Sequence, residues 1–179
     1  MEILEQKEVV ILNFYITSGT PDFMEKLIAK NHKEPLILLH GNGNSVVLHE
    51  SPKKSIFAVP RKFEVLCEMG QFEQKGYFTF YNMPILSDGR PVFENAVSDA
   101  IASLKSDSTV IAYRFLQPIK EDTYLLIIQW VGPASFDVWK NGHNYKETIA
   151  PILEGKASII QSMFDTAFYM TTYSAPPKE

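Results

Sequence analysis

The apolar run Val9-Val10-Ile11-Leu12 resumes after Asn13 in Phe14-Tyr15-Ile16, and these β-branched and aromatic types predict a strand over 9–17. SGTPDF then reads as a helix start: Ser18 or Thr20 as cap, Pro21 in the first turn, Asp22 near the positive end. The helix through MEKLIAKNH is expected to end near Lys33–Pro35. Strands follow over 36–40 and 45–50, with a third β segment near 55–59 (SIFAV). Between the first two, GNGN at 41–44 has the Asn-Gly chemistry of a hairpin turn and lacks the Lys-Ser/Thr end of a P-loop. Residues 60–74 read as a connection containing a short, partly apolar segment.

A second unit begins at Gly76. A strand over 77–85 is followed by the turn LSDGRP and a helix over about 90–104, whose Val92, Phe93, Ala96, Val97, Ala100, Ile101 and Leu104 fall on one stripe. Strands over 109–117 and 122–130, a helix opened by Pro133 and a last strand over about 163–173 complete it. The order β-α-β-β-α-β predicts an α+β, ferredoxin-like fold: an antiparallel sheet with helices on one face. The other face of such a sheet needs a cover. The N-terminal unit is the natural one, which favours a monomer, with a dimer as the alternative. The expected division is an N-terminal α+β unit over 1–66, a linker over 67–75 and the ferredoxin-like domain over 76–179. No residue-level repeat relates the two units.

Composition acts mainly by exclusion. The 179 residues are 45% hydrophobic and 21% charged, with a net charge of −4. That balance argues against a nucleic-acid partner, which needs a clustered basic face. The apolar run near the start is too short for a membrane span and follows Glu2, Glu5 and Glu8 rather than a basic signal-peptide start, so no membrane partner and a cytoplasmic location are expected. Cys67 is the one cysteine, which excludes an intrachain disulfide and a thiolate cluster; it reads as buried filler. His40 and His49 flank the Asn-Gly turn, and with His32 they lack an acidic or third imidazole partner at metal-ligand spacing. Asp88 and Glu94 read as solvated capping carboxylates.

Candidate chemistry starts in YFTFYNMP at 77–84. Strand alternation puts Phe78, Phe80 and Asn82 on one face, so a carboxamide stands in line with two buried phenylalanines. Asn82 is either a turn residue before Met83-Pro84 or a ligand-facing donor, since burying an amide without partners costs about 1–3 kcal/mol. In SFDVWKNGHNYKE, Trp139 and His143 are spaced i, i+4 and would share a face of an unbroken helix; Asn141-Gly142 favours a helix end there.

These segments carry a resemblance. FYITSGTPDF, VVLHE, FEVL-x-EMG, GYFTFYNMPILSDGRPVFEN, YRFLQP with TYLLIIQW, SFDVWKNGHNYKE and YMTTY together resemble the antibiotic-biosynthesis-monooxygenase domain, and within it the IsdG-like haem-degrading monooxygenases. The likeness covers most of the chain and is closest to the N-terminally extended HmoB type; the staphylococcal target of RNAIII-activating protein shares the layout. The resemblance implies a haem-degrading monooxygenase that opens the porphyrin with O2 and electrons from an external reductase, releasing iron. Asn82 would face the oxygen-binding side of the haem, and Trp139, the second Trp of a W-x8-W pair with Trp130, would press on the porphyrin. The family's iron-ligating histidine falls on Ile149, which cannot bind iron, and His143 is the nearest substitute. The alternatives are a non-enzymatic stress or signalling protein of the same fold and a cofactor-free quinol monooxygenase.

Overall fold

The two units share one closed sheet. The computed structural model describes residues 11–178, so the first two positions of the expected opening strand and the acidic start before them lie outside the described residues. The elements are β1 (Asn13–Gly19), α1 (Pro21–Lys30), β2 (Leu36–His40), β3 (Ser45–Ser51), β4 (Arg61–Met69), β5 (Tyr77–Pro84), α2 (Arg90–Ile101), β6 (Val110–Pro118), β7 (Thr123–Trp130), α3 (Pro133–Asn141), α4 (Ala150–Leu153), α5 (Ser158–Gln161) and β8 (Tyr169–Ser174). The strands form a closed barrel in the order β1-β3-β2-β8-β5-β7-β6-β4. The α+β architecture expected from the element order is present: β5–β8 form the antiparallel sheet, α2 and α3 lie on its outer face, and the N-terminal strands cover the other. Among the described residues, no helix is long and apolar enough to cross a membrane.

Barrel closure gives the central strands two buried faces. Along β7, Leu125 and Ile127 point into the barrel with Phe14, Phe63, Phe78, Phe80 and Leu116. Their neighbours Tyr124, Leu126, Ile128 and Trp130 point out, against Phe93, Val97 and Phe136. That is why TYLLIIQW reads as a nearly continuous apolar run rather than an alternation. A third, smaller cluster joins Met24 of α1 to Tyr15, Val47 and Phe57 on the outside of the N-terminal strands.

The N-terminal expectations hold at the helix and hairpin and fail at the third strand. Thr20 caps α1 through Phe23 N–H, with Pro21 at the start. The GNGN turn joins β2 to β3, with Gly43 at φ +86°. His40 lies opposite Ser45 and His49 opposite Leu36, so the two histidines are not cross-strand neighbours. Residues 55–59 form no strand; Phe57 anchors that loop as a single buried side chain. The strand forms instead at Arg61–Met69, inside the expected connection and across the expected boundary between 66 and 67. The alternation Lys62-Phe63-Glu64-Val65 was its signal. The last strand begins at Tyr169 rather than 163; the residues between, which follow α5, form a loop.

The barrel seam is closed by glutamine side chains. β2 and β8 share one ladder pair, His40 with Ser174. Beyond it the Gln74 carboxamide accepts from Leu38 N–H at 2.8 Å and donates to Leu38 O at 2.7 Å and Pro176 O at 2.9 Å, standing in for a strand neighbour. Gln129, fully buried on β7, holds the same segment through Glu73 N–H, Glu73 O and Lys75 O.

Gly76 opens β5 at φ +78°, and a Cβ there would stand 2.3 Å from Trp130 O. Gly76→Ala is expected to cost about 2 kcal/mol or more, since the left-handed backbone alone costs about 1–2 kcal/mol for an L-residue. Urea denaturation checks it; a midpoint equal to wild type would mean that β5 starts elsewhere.

Candidate functional site

Asn82 is a mid-strand residue, not a turn. It pairs with Leu125 of β7 and Tyr169 of β8, and it shares the barrel-facing side with Phe78 and Phe80, as alternation predicts. It is 4% exposed. Its Nδ2 donates to Phe80 O at 3.2 Å, Tyr169 O at 3.4 Å and Thr171 Oγ1 at 3.5 Å, long bonds that hold the amide at the barrel's end.

Trp139 stands on the other side of the sheet. On α3 it is half-buried, with ring centroids 5.0 Å from Trp130, 4.6 Å from Tyr145 and 6.2 Å from Phe136. All three belong to the cluster between sheet and helices. The β5 residue facing this side is Tyr81, one position before Asn82, so the structure does not bring Asn82 and Trp139 to a common cavity.

A buried hydroxyl chain occupies the helix side instead. Tyr145 donates to Glu154 Oε2 at 2.9 Å, and Tyr81 and Tyr145 hydroxyls lie 3.1 Å apart. A phenol has one proton, so with that of Tyr145 on Glu154, Tyr81 must be the donor to Tyr145. Burial pushes both phenols above their ordinary range, with the Glu154 carboxylate adding to the rise. Both stay protonated at neutral pH. A cavity of about 300 Å³ lies beside them, walled by Leu153, Phe168 and Met170, with Lys140 and Lys156 at its rim.

His143 is separated from this cavity. Gly142 leaves helical geometry at ψ 154° and ends α3, as Asn141-Gly142 suggests, so Trp139 and His143 do not share an unbroken helix. His143 is exposed and lines neither cavity beside Tyr145. The chain then makes one π-helical turn over Tyr145–Ile149, which buries Tyr145 and Ile149 together. No group of three or more His, Cys, Asp or Glu suited to a metal ion occurs among the described residues. Cys67 is half-buried against α2, 3.3 Å from Ser98 Oγ. Glu94, expected as a solvated cap, accepts the Tyr124 hydroxyl.

No family model matches the chain. By sequence it is 22% identical to the Staphylococcus aureus signal transduction protein TRAP over 165 residues, covering 92% of this chain and 98% of that protein. By structure it superimposes on a major regulator of staphylococcal pathogenesis with a TM-score of 0.82 at 16% identity, over 92% of this chain and 99% of the other. A Listeria monocytogenes ferredoxin-fold protein related to antibiotic biosynthesis monooxygenases gives 0.76 at 18% identity, covering 95% and 97%. A haem-degrading enzyme from Listeria monocytogenes gives 0.69 at 19% identity, covering 92% and 99%. The chain has the monooxygenase-related ferredoxin-like fold. The resemblance read from its sequence holds on both sides, toward the haem-degrading protein and toward TRAP.

On this fold, the missed residues are Tyr81, Tyr145 and Glu154. Tyr81 was legible in part, since alternation sets it on the face opposite Phe80 and Asn82. Nothing local to Glu154 announced that it would meet a tyrosine nine positions away through a π-helical turn.

Proposed function

We propose that this chain is a non-catalytic, signalling-type protein on the monooxygenase-related ferredoxin-like scaffold. The observation that carries the reading is the placement of Asn82 and Trp139 on opposite faces of one sheet. Haem degradation with O2 and reductase electrons, the reading closest to the Listeria enzyme, needs one slot flanked by both residues and an iron ligand. Here the side facing Trp139 presents Tyr81, bonded to Tyr145 and through it to Glu154. Ile149 is buried and carries no ligating atom, and His143 is exposed away from the cavity. These residues do not fit a haem, and the two spaces beside Tyr145 are about 300 and 330 Å³, each at the bottom of the range for drug-sized ligands and small for a porphyrin. The TRAP likeness supports the same reading, because it is detectable in the sequence itself over 165 residues.

Titrating haem into the purified protein tests it. The expected result is no saturable Soret shift and no haem consumption when ascorbate is added. A saturable shift followed by turnover would restore the haem oxygenase. Cofactor-free oxygenation of a small quinol is the second reading, favoured by the cavity beside Tyr81. It requires O2 uptake with a naphthoquinol probe that Tyr81→Phe or Tyr145→Phe reduces.

A further inference from the structure

The barrel end at Asn82 carries a cleft of about 280 Å³ between β1, β4, β5 and β8. We infer that it binds a small hydroxylated carboxylate of the size of a single sugar acid. Barrel mouths are common ligand sites, and this volume sits just under the ~300–1,000 Å³ of drug-sized pockets, which suits a small ligand.

Charge selects an anion. Arg61 is the charged residue on the wall, and no carboxylate lines the cleft among the described residues. The Glu121 carboxylate stands 3.8 Å from Arg61 Nε and outside the lining, too far for a hydrogen bond. Arg61 is thus held only by this loose ion pair and by the Phe63 ring 5.1 Å beneath its guanidinium, and an entering carboxylate would exchange the pair for a bidentate contact on the planar fork.

Asn82 selects a hydroxyl. The carbonyl oxygens of Phe80 and Tyr169 require a donor, which fixes the amide nitrogen on their side. The amide oxygen accepts no hydrogen bond among the described residues, and it suits a donor from the cleft. Thr171 and Ser18 place further hydroxyls on the wall. The Phe80 and Tyr173 rings, 4.6 Å apart, supply an apolar platform for the C–H face of a sugar-like ring. The cleft lies across the sheet from Trp139, so the assignment is independent of whether the helix side binds haem.

Calorimetric and NMR titration of the full chain with D-glucuronate tests the site, with D-glucose and acetate as controls. Saturable one-to-one binding is expected, with backbone shifts centred on Ser18 and Thr171. Glucose, lacking the charge, and acetate, lacking the hydroxyls, are expected to bind about tenfold or more weakly. Arg61→Gln is expected to weaken glucuronate about tenfold with an unchanged unfolding midpoint, its side chain being 38% exposed. Asn82→Ala is expected to weaken glucuronate by a similar factor and to lower the unfolding midpoint, because its amide is buried and hydrogen-bonded, while Val138→Ser, exposed on α3, leaves binding unchanged. No saturable signal at millimolar glucuronate would overturn the assignment, as would binding indifferent to Arg61→Gln or equal binding of glucose. If Asn82→Ala does not fold, the Arg61 variant and the two control ligands still decide it.

Discussion

Arg114→Ala is expected to lower the unfolding free energy by about 3–5 kcal/mol, the range for breaking a buried ion pair by removing one partner. Arg114 projects from β6 into the barrel end and meets Glu50 of β3, with β1 and β4 between the two strands in barrel order. Nε donates to Glu50 Oε2 at 2.5 Å and Nη2 to Oε1 at 3.3 Å, a two-point fork. Nη1 donates to Met69 O and Tyr113 O, and the guanidinium lies over the Phe72 ring at 5.2 Å. One side chain thus ties the N-terminal strands, the segment entering β5 and the helix-backed sheet. The arginine side chain is 4% exposed and Glu50 28%, so water reaching the abandoned carboxylate pulls the loss toward the lower end. Arg114→Lys should recover little of it, because an ammonium cannot reproduce the fork. Denaturant unfolding of Arg114→Ala, Glu50→Gln and the double variant measures the coupling; a single-variant loss under about 1 kcal/mol would make the pair incidental.

Tyr145→Ala is the second large effect. Truncating a fully buried aromatic costs about 3–5 kcal/mol, and here it also strips Trp139 and Tyr81 of a neighbour. Tyr145→Phe separates packing from hydrogen bonding: it keeps the ring, leaves Tyr81 and Glu154 without their shared partner and should cost about 1–3 kcal/mol. The phenols also set an alkaline limit. Their folded pKa values lie above the ordinary 10, so the unfolded chain releases these protons first as pH rises. The stabilisation is complete below pH 10 and falls as pH climbs beyond it. Tyr145→Phe should flatten that alkaline decline in thermal unfolding. A decline of equal slope in the variant would assign it to other groups.

The structural consequences of single residues were legible unevenly. Thr20-Pro21, the Asn-Gly turn and the break at Asn141-Gly142 each act within a few residues and appear where local chemistry puts them, while the α2 stripe is buried at Phe93, Val97, Ala100 and Ile101 but leaves Val92 exposed. The segment 55–59 misled because Phe57 is an isolated anchor in a loop, while β4 was hidden in a stretch rich in charge. The charged residues of β4 sit on a strand whose partners, β1 and β6, lie far from it on either side in the chain. Their pairing could not be inferred from β4 itself.

At the candidate site, sequence alone determined that Asn82 shares a face with Phe78 and Phe80, because alternation along a strand depends only on the backbone. It also determined that Ile149 supplies no ligand, since that is a matter of atom types. What lay on either side of β5 was decided only by the tertiary structure. A strand buried on both faces is apolar on both, so periodicity gives no sign of which face meets the helices. Barrel closure turned Asn82 toward the N-terminal strands and Tyr81 toward Trp139, a choice made by strands and helices distant in the chain.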